Sequence, residues 1–234
     1  MRTYNQRVIH DDPRLRDRAP VFRDRPEAGR ALARLLAAHS AGGAFVLAIP
    51  CGGVPVGVEI ARALGLELDV APVSKILLPW TTEAGFGAVA FDGSVWVNED
   101  DVRRHALSEK DIADAVADAR AKVERRTARL RGGRAALSVA ERTVILVDDG
   151  IAAGSTMRVA TAAVRRLGAT RIVLAVPTGH RRAVELLADA ADEVYCANIR
   201  APLHFAVADA YVNWQDVNEI EAVSFLDPLR REPT

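Results

Sequence analysis

The most chemically suggestive stretch of this chain is Val144-Ile145-Leu146-Val147-Asp148-Asp149-Gly150-Ile151-Ala152-Ala153-Gly154-Ser155-Thr156-Met157. An apolar run ends in two adjacent carboxylates, passes through a loop of small residues and reaches a hydroxyl pair. Small side chains let successive backbone N–H groups turn toward one point. A helix starting at Ser155 adds the positive end of its dipole and two hydroxyl donors. That is a cradle for a phosphate. Asp148 and Asp149, just upstream, suit vicinal hydroxyls or a hydrated cation. Better-known loops do not match. Gly150 and Gly154 are one residue too close for a Walker A loop, and no lysine follows. Neither this loop nor Gly52-Gly53-Val54-Pro55-Val56-Gly57 spells a dinucleotide fingerprint, and no Gly-x-Ser-x-Gly elbow occurs. A strand end and a helix cap would account for the Asp pair or for Ser155 taken singly. The complete string asks for a ligand.

The elements around this loop follow a repeated grammar. Ala28, Ala31, Leu32, Leu35 and Leu36 recur at helical spacing, giving an amphipathic helix that stops near Ser40–Gly43. Ala44–Ile49 reads as a short buried strand, followed by Pro50-Cys51-Gly52-Gly53 and a helix over Val54–Leu64. Leu66–Val73 is a second strand and Thr143–Val147 another, leading into a helix from Ser155 to Leu167. Arg171–Val176 precedes a helix over His180–Ala190 and a last strand at Glu193–Cys196. Short apolar strands alternating with helices imply parallel strands buried on both faces. The expected class is α/β, doubly wound, a mainly parallel sheet flanked by helices, with ligands beyond the carboxyl ends of its strands. Two segments depart from the grammar. Phe86–Phe91 and Val95–Asn98 flank Asp92-Gly93, a hairpin signal. Ser108–Arg131 is a long helix opened by a capping-box pattern and closed by Gly132-Gly133. The economical division is a loose arm over 1–21, one domain with a small hood and this inserted hairpin and helix over 22–226, and a tail over 227–234.

Composition narrows the function classes. The chain has 234 residues, and its 31 basic and 31 acidic side chains cancel, which argues against a nucleic-acid partner held by bulk charge. Its longest apolar runs are five to seven residues, well short of the roughly 20 of a membrane span. No apolar h-region marks a signal peptide near the N-terminus. Two cysteines supply neither a disulfide framework nor a four-Cys zinc site. The expectation is a soluble cytoplasmic protein without a membrane partner.

The Asp148–Thr156 string resembles the signature of the type I phosphoribosyltransferases. The chain is similar, over about residues 22–226, to a bacterial subgroup of that family whose acceptor is unassigned. The resemblance is carried by Phe22-Arg23-Asp24-Arg25 with Glu27-Ala28-Gly29, by Pro50–Val56, by Ser74-Lys75-Ile76, by the lid-like Glu83–Val89, and by Phe205-Ala206-Val207 with Tyr211. It implies a parallel core with a smaller hood, binding 5-phosphoribosyl-1-pyrophosphate with Mg²⁺ held mainly through substrate and water. Asp148 and Asp149 would take the ribose hydroxyls, with Lys75 as a further catalytic group. Gly150, Ala152, Ala153, Gly154, Ser155 and Thr156 would take the 5-phosphate. Cys51, Gly52 and Gly53 would take the pyrophosphate, and the segment around Leu78–Gly85 would close as a lid. The implied reaction is transfer to an unidentified nitrogen acceptor. The alternative is a regulatory protein that senses phosphoribosyl pyrophosphate or a nucleotide without turnover. A homodimer is compatible with either.

Four positions depart from the pattern. Cys51 stands where the subgroup has arginine, and a thiol offers no bidentate charged contact to a diphosphate. Ser74-Lys75 stands for Arg-Lys, and Lys75 also fits a lysine snorkelling at a strand end. Ala153 replaces threonine. Ala152 stands where enzymes for 6-oxopurines carry an aspartate, which argues against hypoxanthine or guanine as acceptor. Trp80 and Phe86 fit packing better than ring stacking. Tyr211 and Trp214 fit hood core, and His180 fits a satisfied surface histidine. Cys51 has no partnered histidine that would make it a nucleophile.

Overall fold

The computed structural model describes residues 8–40, 43–81 and 84–231. Its centre is a six-stranded, all-parallel sheet. In spatial order the strands are β1 (Ile9–His10), β9 (Glu193–Arg200), β8 (Arg171–His180), β7 (Thr143–Val147), β2 (Phe45–Ala48) and β3 (Glu67–Val70). Alternate side chains of each strand feed opposite layers. Val46, Ile145, Val147 and Val173 meet α1 (Arg25–Leu35) and α2 (Gly53–Leu64), whereas Leu47, Leu146 and Leu174 meet α5 (Ser155–Arg166) and α6 (Arg181–Leu187). Double-sided burial is why these strands read as continuous apolar runs. The helices α1 and α2 approach so closely that a Cβ on Gly29 would stand 2.7 Å from the Val56 carbonyl oxygen.

The insertion builds a second, smaller core. Strands β4 (Ser74–Leu77), β5 (Gly85–Val89) and β6 (Val95–Val97) form an antiparallel sheet. Ile76, Leu78, Phe86 and Val89 pack on Ala119 and Val123 of α4 (Glu109–Arg131). The capping box at Ser108–Asp111 and the left-handed Gly132 close α4 at the expected residues. A short α3 (Glu99–Arg104), capped by Asn98, joins the two parts.

β8 and β9 each run four residues beyond their expected ends, and three larger differences from the sequence reading bear on the site. The expected strand Leu66–Val73 divides: β3 ends at Val70, and Lys75 falls in the first strand of the small sheet. The turn between them runs through Pro72, after Ala71 makes the last bond to β2, its N–H to the Ala48 carbonyl at 2.8 Å. The described part of the N-terminal arm is docked rather than loose. β1 adds to β9, and Asp12 and Asp17 donate their backbone N–H groups to Ala197 and Ile199. A two-residue strand is too short to leave a period in the sequence, and residues 1–7 lie outside the described residues. A final helix, α7 (Glu219–Arg231), crosses the boundary expected at 226, with Ala222 and Leu226 buried against α2 and α4.

Candidate active site at the carboxyl end of the sheet

From β2 the chain moves to β3 on one side, and it later enters β7 on the other. The carboxyl ends of β2 and β7 therefore flank the crevice where strand order reverses, the usual ligand position in open α/β sheets. The loop Pro50–Gly53 leaves β2 there, and Asp148–Gly154 leaves β7 beside it. The Pro50–Cys51 peptide is cis. The two loops touch through glycine. A Cβ on Gly52 would stand 2.0 Å from Asp149 Oδ2, and one on Gly53 2.7 Å from the Val147 carbonyl oxygen. Gly154, at φ +77°, turns the chain into α5 in a conformation that favours glycine.

The cradle is present as donors. Among the described residues, the backbone N–H groups of Ala152, Ala153, Gly154, Ser155, Thr156 and Met157 have no acceptor. A helix start leaves four such groups; the loop adds two. The Ser155 and Thr156 hydroxyls are likewise unbonded, and Ala152, Ala153 and Ser155 are exposed. The loop is held rigidly from behind. Ile151 donates to the Thr178 carbonyl at 3.0 Å and accepts from the His180 N–H at 2.8 Å. The His180 ring meets Phe205 edge-on at 5.6 Å.

The two carboxylates have unequal surroundings. Among the described residues, Asp148 accepts only the Asp149 N–H, at 2.9 Å. Burial holds its carboxyl well above the ordinary carboxylate value, with the adjacent Asp149 charge adding to the rise. Burial also raises Asp149, but there the Arg25 guanidinium opposes it. Arg25 Nε donates to Asp149 Oδ2 at 2.7 Å, and Nη1 donates to the Gln215 carbonyl at 2.7 Å. The same guanidinium lies 3.9 Å from the centre of the Trp214 ring. Tyr211, a phenol that burial pushes far up, donates to the Asp149 carbonyl at 2.6 Å.

The motif around Phe22 thereby acquires a physical reading. Residues 210–213 pair with 21–23 through backbone bonds, including Val212 N–H to Phe22 O at 2.8 Å, and this strap carries Tyr211 and Trp214 over the site. Asp24 caps α1 by accepting the Glu27 N–H, Glu27 reaches back to the Arg23 N–H, and Ala28 is fully buried. Sequence reasoning includes Arg25 and Tyr211 in the resemblance without a role, and it reads Tyr211 and Trp214 as hood packing. The usable signal is an arginine in the first turn of an amphipathic helix, where burial demands an acidic partner.

The remaining expected residues are placed as follows. The Cys51 and Gly52 N–H groups have no acceptor among the described residues. The Cys51 thiol, however, packs against the cluster containing Val54, Leu130, Ala222 and Leu226, and burial raises its pKa. Lys75 is exposed on β4 opposite Ala88, and no described bond links it to the carboxylates. Within the lid segment, Leu78 is buried and Trp80 is 62% exposed; Thr82 and Glu83 lie outside the described residues. Arg158, in the first turn of α5, lies 4.7 Å over the Trp96 ring and ties the cradle helix to the small sheet.

A phosphate-type cradle and a carboxylate pair at the switch point of a doubly wound sheet, hooded by a small second sheet, define an α/β protein of the type I phosphoribosyltransferase fold. The chain belongs to the phosphoribosyl transferase domain family, whose description it matches over residues 22–211. It is 41% identical over 213 residues to a protein of two Mycobacterium tuberculosis strains whose name marks it provisionally as a phosphoribosyl transferase, covering 91% of this chain. The chain spans about half the length of those curated relatives, 48%. Among solved structures it is similar to TT1426 from Thermus thermophilus, with 35% identity and a TM-score of 0.72, covering 88% of this chain and 97% of the other. Among the described residues no helix is long and apolar enough to cross a membrane.

Proposed function

We propose that this chain binds 5-phosphoribosyl-1-pyrophosphate with Mg²⁺ and transfers the phosphoribosyl group to a nitrogen acceptor, releasing pyrophosphate. The observation that carries the reading is the run of six acceptor-free N–H groups, Ala152 to Met157, directly after the Asp148–Asp149 pair. The cradle amides and the Ser155 and Thr156 hydroxyls hold the 5-phosphate. Asp148 and Asp149 accept the ribose hydroxyls, and their charge favours the positive charge that develops on the sugar as the C1–O bond to pyrophosphate breaks. The acceptor nitrogen forms the new C1–N bond and gives up its proton. The free N–H groups of Cys51 and Gly52 meet the pyrophosphate, with Lys75 reaching it from the hood. The segment around Leu78–Gly85 closes over the site and excludes water.

The donor set fits a largely hydrated cation. Two carboxylates face the crevice, and no group of three His, Cys, Asp or Glu side chains forms a metal cage among the described residues. Mg²⁺, when bound, neutralises the leaving pyrophosphate while keeping several waters, and Asp148 and Asp149 would face that water shell. Ala152 argues against 6-oxopurines as acceptors.

The test is calorimetric titration with 5-phosphoribosyl-1-pyrophosphate, with and without Mg²⁺, following pyrophosphate release against a panel of nitrogen bases. Mg²⁺-dependent binding, with release accelerated by one base, is expected. Absence of binding overturns the reading. Binding without release under the whole panel selects the sensor instead, a reading favoured by the Cys51 thiol, which brings no cation to the pyrophosphate loop.

A further inference from the structure

We infer that Arg25 is a positioning residue that fixes Asp149 for one of the sugar hydroxyls. The inference rests on the proposed binding of a phosphorylated ribose. Its geometry is specific. Arg25 is 7% exposed, and its guanidinium is held on three sides: by Asp149 Oδ2 at 2.7 Å, by the Gln215 carbonyl at 2.7 Å and by the Trp214 ring at 3.9 Å. Only one oxygen of Asp149 is engaged. Oδ1 receives no bond from any described side chain, so it is the oxygen left to accept a hydroxyl. The engaged oxygen also abuts Gly52, where even a methyl group would collide at 2.0 Å. Arginine on one side and glycine backbone on the other leave the carboxylate little freedom to rotate. Asp148, directly beside it, has no bonded cation among the described residues.

The competing role is purely structural, a buried ion pair tying α1 and the 210–215 strap to the sheet. The two roles differ in a measurable way. A structural pair sets how much protein is folded. A positioning pair sets how well the folded protein tells a hydroxyl from its absence, and a hydrogen bond to a charged group is worth about tenfold or more in affinity.

The experiment is calorimetry on the wild type, Arg25→Met and Arg25→Lys, with ribose 5-phosphate, 2-deoxyribose 5-phosphate, 3-deoxyribose 5-phosphate and orthophosphate as probes. Orthophosphate reports the cradle and, with it, the fold. Arg25→Met is expected to bind orthophosphate like the wild type, while its preference for ribose 5-phosphate over one of the two deoxy sugars falls by about tenfold. Arg25→Lys keeps the charge without the fork that also reaches Gln215, and should recover part of that preference. Full wild-type preference in Arg25→Met overturns the inference. If Arg25→Met fails to fold, an undiminished preference in Arg25→Lys overturns it in the same way. A wild type that does not distinguish the three sugars removes the functional reading itself, and the inference with it.

Discussion

The two ends of the parallel sheet bury carboxylates in opposite ways. At the amino end, Glu193 opens β9 only 7% exposed, with a full set of partners. Arg171 donates from Nε at 2.8 Å and again from Nη2, Tyr195 donates its hydroxyl at 2.9 Å, and His10 Nε2 lies at 3.2 Å. Burial alone would raise the Glu193 carboxyl, but the Tyr195 and Arg171 hydrogen bonds outweigh it and bring the pKa below the ordinary value. Tyr195 is pushed up to about 12, by burial first and then by Glu193. At the carboxyl end, Asp148 has a single backbone donor, and both members of its pair are raised. Partners offset the desolvation cost of a buried carboxylate, whereas an unsatisfied pair is maintained at a cost in stability. The difference supports the proposed site at the carboxyl end without reference to any relative.

The contrast can be broken most severely at the carboxyl end. Replacing Asp148 and Asp149 together by asparagine should lower pyrophosphate release by about 1,000-fold or more, about 4 kcal/mol of transition-state stabilisation. Ribose 5-phosphate should still bind through the cradle; unchanged turnover would take the pair out of the chemistry. Next in size is Gly52→Ala. Its backbone is helical, so alanine is locally acceptable, but the new Cβ meets the Asp149 carboxylate. Displacement of a reacting group by about an ångström predicts a loss of about 100-fold in kcat, with a lowered melting temperature because the same shift strains the buried Arg25–Asp149 pair. A variant of wild-type kcat would show that the carboxylate moves freely. At the opposite end, Glu193→Gln should cost about 2 kcal/mol in chemical denaturation and leave kcat per folded molecule intact. Because the Glu193 pKa is lowered on folding, its contribution is present above the ordinary value of 4.5 and is lost as pH falls through the lowered folded value. The variant should therefore converge on the wild type in acid. A gap that persists there would mean that packing, not charge, is the source of the effect.

Much of this architecture is legible in the sequence because it follows from local patterns. Thr143–Val147 and α4 begin and end where apolar runs, a capping box and a glycine place them. The Asp148–Thr156 loop sits at the carboxyl end of a buried strand, as its small residues and hydroxyls require. What stays illegible depends on contacts between distant segments. Nothing near Arg25 announces Asp149, 124 residues away, and nothing near Tyr211 announces that it pairs with Phe22. The orientation of Cys51 is a similar case: the loop pattern marks its backbone, while the α7 residues that receive its thiol lie far along the chain. Sequence reasoning attaches Lys75 to the wrong sheet because Ala71–Val73 is apolar enough to pass for strand, although the bonds to β2 end at Ala71.

The smallest expected effect sharpens the comparison most, because its sign is unusual. Asp148→Asn should inactivate the site and stabilise the fold. The folded-state pKa of Asp148 lies well above the ordinary value of 3.8. Between those two values the folded protein binds more protons than the unfolded chain, so stability falls as pH rises across that interval, and the penalty persists at higher pH. Asparagine keeps an oxygen for the Asp149 N–H and removes the charge. The gain should be about 1 kcal/mol near neutrality, typical of relieving an active-site cost, and should shrink toward zero as pH falls toward 3.8. Melting temperatures of wild type and variant across that range provide the check. A variant less stable than the wild type at neutral pH would mean that the Asp148 charge is paired within the fold, which would erase the distinction between the two ends of the sheet.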